Sequence, residues 1–410
     1  MSSTALERLP GASHEIRLRD LAAWLIVAFA FTIPFEDILR IPGLGSITRV
    51  LGIIALPVGL LALVDREQVR LRPPLVFIVP MALFVVWNIS TYFWSFEPGA
   101  TLSRSVTYVQ LLLFAWLTTE FCRDRAWRIA LMQAYLLGNY LAFTLVTFRM
   151  FDAGAVAFRD TGPLGANGFA IALAYGIPMA VLLMNERRGR MWAFVNAAYP
   201  FVALFGVVLA ASRGGFIVSL VGLLVVPFAL VGMSLMRRFV LFAAVIGAAT
   251  FSFVVAPTAF PDLYRNVQRL EGTGDELTTG TLTGRTNIWR ETLGVFSESP
   301  AIGVGAGATR HALADTEIGR VKAVHNVYLV IAADAGLIGL LLFSATIGLA
   351  FIAVPLGERR HTPYLAVLAL ALLVSMMSLN AEANKGTWFI VALIALHRPL
   401  VMGDTQRRAS

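Results

Sequence analysis

Residues 326–353, NVYLVIAADAGLIGLLLFSATIGLAFIA, form a long apolar run in which Asp334 is the only charged side chain. About 20 consecutive apolar residues in a helix are enough to cross the hydrocarbon core of a bilayer. Because the backbone has no water to bond in lipid, such a segment must satisfy its own hydrogen bonds as a helix. The run therefore predicts a membrane-spanning helix that begins directly after His325.

Similar runs recur along the chain. Hydrophobic residues make up 58% of it and charged residues 14%, with a mean hydropathy of +0.74. Soluble domains are roughly 45–50% apolar and about 25% charged, so this composition excludes an ordinary cytosolic enzyme. We predict an all-α polytopic membrane protein with about twelve transmembrane helices, at approximately 21–35, 47–64, 74–91, 103–121, 127–148, 167–185, 192–211, 215–235, 238–256, 326–353, 363–380 and 387–401.

These segments divide the chain into three parts. Residues 1–256 hold the first nine spans, 257–324 form one long loop, and 325–410 hold the last three spans and a tail. In the loop, Trp289, Leu293 and Phe296 recur at helical spacing, which predicts an amphipathic helix ending before Pro300. Such a helix lies either on the membrane surface or against its own bundle.

Basic residues predict the orientation. With the N-terminus in the cytoplasm, cytoplasmic segments hold 19 Lys and Arg residues, the short segments on the other side hold 7, and the long loop holds 7. This asymmetry follows the positive-inside rule. It predicts cytoplasmic termini and a periplasmic loop. It also accounts for the net charge of +8 without a nucleic-acid partner.

Three arginines are candidate anion ligands. Arg213 lies between two apolar runs and is followed by Gly214, which allows a ligand to approach the backbone closely. Arg285 and Arg290 open the amphipathic helix, where guanidinium groups and a helix N-terminus together suit a phosphate. The alternatives are an interfacial anchor for Arg213 and a solvated helix face for Arg290.

His325 is the one histidine at the outer mouth of a predicted span. A helix N-terminus disfavours the imidazolium, so we expect a neutral ring that can accept a proton near pH 7. The alternative is a structural histidine. Asp334 lies nine residues on, about 180° around the helix, and is expected to brace another helix rather than to join His325 in chemistry.

Four motifs carry a family resemblance. They are Ser212–Gly215 (SRGG), Gly284–Trp289 (GRTNIW), Gly303–Gly307 (GVGAG), and His325-Asn326 followed after nine residues by Gly336-Leu337-Ile338-Gly339. With its many spans and one late outer loop, the chain resembles the O-antigen ligase and O-antigen polymerase superfamily of inner-membrane glycosyltransferases. The last motif is most similar to that of ligases, although Leu340-Leu341 stands where many ligases have two threonines.

The resemblance implies transfer of a glycan from undecaprenyl pyrophosphate to a sugar hydroxyl of lipid A-core at the periplasmic side of the inner membrane. It implies no cofactor and no metal. His325, Arg213 and Arg285 are the expected catalytic residues. Gly214, Arg290, Asn326 and Tyr328 are expected to join the two catalytic arginines in binding the pyrophosphate and sugar. Membrane lipids are the remaining expected partners.

Other functions stay open. A polymerase would join lipid-linked repeats and shares most of the motifs. A polysaccharide flippase is a transporter and is disfavoured because the chain shows no internal repeat and its non-terminal charges cluster outside the membrane. A peptidoglycan glycosyltransferase of the shape, elongation and division type shares the layout but no residue match.

The charge asymmetry makes a direct prediction. A reporter fused at Gly274, in the middle of the long loop, should be active as a periplasmic reporter and silent as a cytoplasmic one, because the positive-inside rule places this loop outside. Paired fusions at that position measure it. A cytoplasmic signal would invert the topology and move the candidate site to the wrong side of the membrane.

Overall fold

A computed structural model gives the architecture of the chain. It describes residues 17–36, 38–43, 45–64, 75–157, 165–186, 189–226, 228, 234–255, 258, 264, 266–268, 270, 285–316, 323–352, 354 and 360–397. The predicted cytoplasmic termini lie outside these residues. Apart from a two-stranded antiparallel hairpin, Arg40–Ile41 (β1) with Gly45–Ser46 (β2), the regular structure of the described part is helical.

The α-helices of the described part are numbered in chain order. They are α1 Leu18–Thr32, α2 Ile47–Val64, α3 Leu75–Ser90, α4 Pro98–Phe121, α5 Arg125–Ala157, α6 Gly165–Glu186, α7 Arg190–Ala210, α8 Arg213–Leu223, α9 Leu235–Thr250, α10 Arg285–Glu298, α11 Thr309–Ala312, α12 Val327–Phe351, α13 Thr362–Ser375 and α14 Lys385–Ala395. Short 3₁₀ turns follow α1, α3 and α11, and a π-helical turn follows α9.

Each of the twelve predicted segments overlaps one of these helices. Seven of the helices in the described part, α1–α3, α5–α7 and α12, are long and apolar enough to cross a membrane. The all-α membrane fold is confirmed to that extent. The count of twelve spans stays a prediction, because α8, α13 and α14 are shorter than a full crossing.

Two helices form the centre of the bundle. Helix α6 is almost entirely buried and packs against α5, α7, α8 and α13. Helix α14 packs against α4, α12 and α13 and buries Trp388 and Phe389 completely. Between α5 and α7, the buried amides of Gln133 and Asn196 bond each other at 3.2 and 3.3 Å, so neither is left unsatisfied.

Charged pairs occur at both ends of the bundle. At the end that carries residues 285–316, which we call the loop end, Glu36 pairs with Lys385 and Glu382 pairs with Arg104. At the opposite end, the buried carboxylate of Glu186 bonds Arg125 and His361.

Helix α12 is broken at Gly336, whose φ of 67° and ψ of −170° are not helical. The residues of the long loop fill the break. The amides of Val304 and Gly305 donate to the carbonyls of Ala333 and Asp334 at 2.9 and 2.8 Å. In the other direction, the amide of Leu337 donates to the carbonyl of Pro300 at 2.8 Å.

A side chain from α3 completes this arrangement. The indole Nε1 of Trp87 donates to the carbonyl of Ala335 at 2.8 Å. Each of the three carbonyls of residues 333–335 therefore has a hydrogen-bond partner within the protein.

Asp334 holds the same loop through its side chain. Its carboxylate is 2% exposed and accepts from the amide of Gly307 at 2.7 Å, the amide of Thr309 at 2.9 Å and the hydroxyl of Thr309 at 2.6 Å. Three donors compensate for the cost of burying the carboxylate. Asp334 thus braces the end of the glycine-rich segment at Gly307 and also Thr309, the first residue of another helix, α11, in line with the expectation from the sequence.

The amphipathic helix of the loop is present as α10 and packs on its own bundle. Trp289 and Phe296 contact a buried cluster that includes Val295 and Val330 of α12. Leu293, assigned from the sequence to the same apolar face, is 51% exposed. The buried residues of α10 are Thr292 and Val295, so the buried face of this helix is rotated by part of a turn from the face predicted by the sequence.

Gly336 offers a test of the helix break. Gly336→Ala should destabilise the protein by about 1–3 kcal/mol from backbone conformation alone, with more from the overlap of its Cβ with the carbonyl of Ala301. Gly348→Ala is the matched control in the same helix, because a Cβ there meets no neighbour and alanine is the better helix former. Thermal unfolding in detergent measures both. Equal midpoints for the two variants would contradict the role assigned to the break.

Candidate active site

Arg213 is positioned by a two-residue turn between α7 and α8. Ala211 adopts a left-handed conformation with φ of 46° and ends α7. Ser212 then caps α8, because its hydroxyl oxygen accepts the amide of Gly215 at 3.0 Å. Arg213 is therefore the first residue of α8, half-buried at the loop end.

This turn is fixed to its neighbours by polar contacts. The Ser212 hydroxyl donates to Oδ1 of Asn167 at 2.6 Å, and Nδ2 of Asn167 donates to the carbonyl of Ser378 at 2.6 Å. Gly214 lies so close to Ser378 that a Cβ on it would overlap the serine hydroxyl. The predicted ligand Gly214 is thus a packing position against the connection between α13 and α14.

His325 reaches the same connection from the other side. Its backbone N–H donates to Oδ1 of Asn380 at 2.6 Å, and the N–H of Val327 donates to the carbonyl of Met376 at 2.8 Å. The φ of His325 is 55°, a conformation that costs a non-glycine residue about 1–2 kcal/mol. These two bonds hold the backbone on either side of Asn326 in that conformation.

Asn326 and Tyr328 have structural contacts next to His325. Oδ1 of Asn326 accepts the amide of Leu329 at 3.2 Å and caps α12. The Tyr328 hydroxyl donates to the carbonyl of Leu373 at 3.2 Å. Both residues fasten the start of α12. Their roles in substrate binding stay predictions.

Helix α10 brings Arg285 to His325. The indole Nε1 of Trp289 donates to the carbonyl of Val324 at 2.9 Å, which ties α10 to the residue before His325. Arg285 lies one turn earlier on the same face of the helix. Burial first, and then the nearby charge of Arg285, lower the pKa of His325 below its ordinary value of 6.5.

The lowered pKa has a direct chemical meaning, since a neutral imidazole can accept a proton at pH 7. A neutral ring was expected from the helix N-terminus, whereas burial and Arg285 are the causes seen here. Nδ1 of His325 is buried and has no hydrogen-bond partner among the described residues.

The remaining predicted residues lie around this centre. Arg290 is exposed on α10, a little over one helical turn after Arg285. Sequence reasoning missed Asn167, Ser378 and Asn380. A signal was present, because polar side chains occupy alternate positions from Ser378 to Asn384 between two apolar segments. Among the described residues, no three His, Cys, Asp or Glu side chains are grouped to hold a metal ion.

Comparison with known families bears on the site. Residues 198–344 match the family model described as O-Antigen ligase. The resemblance to the O-antigen ligase superfamily is confirmed. No curated protein matches the chain.

The O-antigen ligase match runs from α7 into α12. It therefore contains Arg213, Arg285 and His325, whereas Asn167 and Asn380 lie outside it. With its apolar helices, the chain is a helical integral membrane protein, and its residues 198–344 are similar to a family whose members are glycosyltransferase-like enzymes that act on lipid-linked glycans.

The electrostatic effect of Arg285 on His325 can be tested without an activity assay. Arg285→Ala should raise the pKa of His325, because it removes a positive charge that disfavours the imidazolium, while burial continues to lower it. NMR titration of labelled histidine in the full-length protein measures the change, with His325→Gln identifying the resonance. Arg290→Ala, one exposed arginine further along α10, is the control. An unchanged titration in Arg285→Ala would show that the charge of Arg285 does not act on His325.

Proposed function

We propose that this protein is an O-antigen ligase. It transfers a glycan from undecaprenyl pyrophosphate to a sugar hydroxyl of lipid A-core, without a metal and with inversion at the anomeric carbon. The observation that carries the proposal is the position of His325, half-buried directly before α12 with the charge of Arg285 acting on its ring, inside the segment that matches the O-antigen ligase family. The 19-to-7 asymmetry of basic residues supports an inner-membrane protein with cytoplasmic termini and a periplasmic loop end.

His325 acts as the general base. The acceptor hydroxyl gives its proton to the neutral imidazole while its oxygen bonds to the anomeric carbon. The bond from that carbon to the pyrophosphate oxygen breaks, and undecaprenyl pyrophosphate leaves with the electron pair. Attack from the face opposite the leaving group inverts the anomeric centre.

Arg213 and Arg285 stabilise the negative charge that develops on the pyrophosphate. A planar guanidinium bonds two phosphate oxygens at once, and it does so most strongly where water is excluded. Both residues are half-buried and both stand at the first position of a helix, so helix N-termini add to the positive potential. Arginines in this arrangement supply the charge that a metal supplies in other transferases.

The polymerase remains the second candidate. Its reaction uses the same donor and the same chemistry, with a lipid-linked repeat as the acceptor. The motif from His325 to Gly339 favours the ligase, and Leu340-Leu341 is the departure that keeps the polymerase open. A flippase is not supported, because the histidine and arginine candidates gather at one end of the bundle.

Deletion of the gene and electrophoresis of the lipopolysaccharide separate these functions. A ligase predicts core without a ladder, together with accumulated lipid-linked polymer. A polymerase predicts core carrying a single repeat. Complementation with the wild type and with Arg213→Ala shows whether the site is responsible, since the arginine variant should not restore the ladder.

The general-base assignment predicts the behaviour of two variants. His325→Ala should lose about 10²–10⁴-fold in turnover while donor affinity is kept. His325→Gln should be as inactive, because glutamine retains a hydrogen-bond donor but is no useful base. In the wild type, turnover should fall as the pH drops through the lowered pKa of His325, which lies below its ordinary value of 6.5, because protonation removes the base. Normal turnover in His325→Gln would assign His325 a binding role instead.

A further inference from the structure

The connection between α13 and α14 touches both predicted catalytic centres. Ser378 accepts from Asn167, which bonds the residue before Arg213, and Gly214 packs against Ser378. Two residues further on, Asn380 accepts the backbone N–H of His325. Residues 376–380 are therefore the element through which the positions of Arg213 and His325 are set relative to each other.

The imidazole of His325 needs an external means of orientation. A catalytic histidine is usually held by a hydrogen bond to its second ring nitrogen. Here Nδ1 is buried and no described residue bonds it. The hydrogen bonds seen to hold this residue are therefore made by its backbone, which has a left-handed φ of 55° that its surroundings must stabilise.

Asn380 supplies that hold. Its Oδ1 is 2.6 Å from the N–H of His325, and the bond joins residues 55 positions apart in the chain. The atom facing the N–H must be the oxygen, because the amide nitrogen can only donate. We propose that Asn380 is the positioning residue of His325, holding its backbone so that the imidazole faces the acceptor hydroxyl. This inference rests on the proposed function.

The charged groups near His325 define what a substitution at Asn380 would change. Arg285 on α10 acts on the histidine, and in the α13–α14 connection Glu382 pairs with Arg104 and Lys385 pairs with Glu36. An aspartate at position 380 keeps the oxygen acceptor but adds a negative charge beside His325. Such a charge favours the imidazolium, so a base that must be neutral would be lost at a higher pH.

The experiment uses the full-length protein in nanodiscs, with an undecaprenyl-pyrophosphate-linked glycan and lipid A-core as substrates. Asn380→Ala should reduce turnover by about 10- to 100-fold, with the KM for the donor little changed. Asn380→Asp should keep most of the turnover at high pH. The acid limb of its pH–turnover profile, that is the pH range in which turnover falls on acidification, should move upward by about 1 pH unit.

Asn384→Asp is the matched control. It adds the same charge to the same connection, and aspartate preserves the cap that Asn384 gives to α14. Its acid limb should stay where the wild type has it. If Asn380→Ala does not fold, the comparison of the two aspartate variants carries the test.

Two results would overturn the inference: wild-type turnover in Asn380→Ala, or an acid limb in Asn380→Asp that moves no further than in Asn384→Asp. If His325→Ala is then still inactive, the proposed function stands and only the role of Asn380 fails. A wild-type protein that transfers no glycan to lipid A-core would instead overturn the proposed function.

Discussion

The structure depends on the requirement that backbone groups inside a membrane protein find partners within the protein. Helix α12 breaks at Gly336, and the break releases carbonyls and amides that a continuous helix would have bonded. Residues 300–305 of the loop and the indole of Trp87 bond them instead. The loop is thereby fixed at the bundle as a structural part of α12.

This constraint also orders the candidate site. The loop that fills the break includes the segment directly after α10, and α10 carries Arg285. Asp334 holds the far side of the same loop through Gly307 and Thr309. Arg285 is therefore brought to His325 by a loop with a defined conformation, as a preorganised charged site requires.

The features that could be predicted from the sequence are those that depend on side-chain polarity. Apolar runs located the helices, and the place of His325 at the start of a run made it a candidate site residue, which stays a prediction. The break at Gly336 was not predicted, because hydropathy treats residues 326–353 as one uniform segment. The exposed Leu293 was assigned wrongly for a related reason. Helical spacing gives the period of the apolar residues in α10, but it does not show which side of the helix faces the rest of the protein. Asn380 was missed because its bond to His325 spans 55 positions.

The order of these contacts along the chain has a consequence for biogenesis. The partners that fill the break in α12 come from α3 and from the loop, which are synthesised before α12 itself. The partners of His325 and Val327 come from residues 380 and 376, which are synthesised afterwards. A nascent chain that has inserted α12 thus already contains every residue that bonds the break, whereas the backbone partner of His325 lies after α13 and is not yet present. The contacts that hold the candidate site are therefore completed only after α12 has been synthesised.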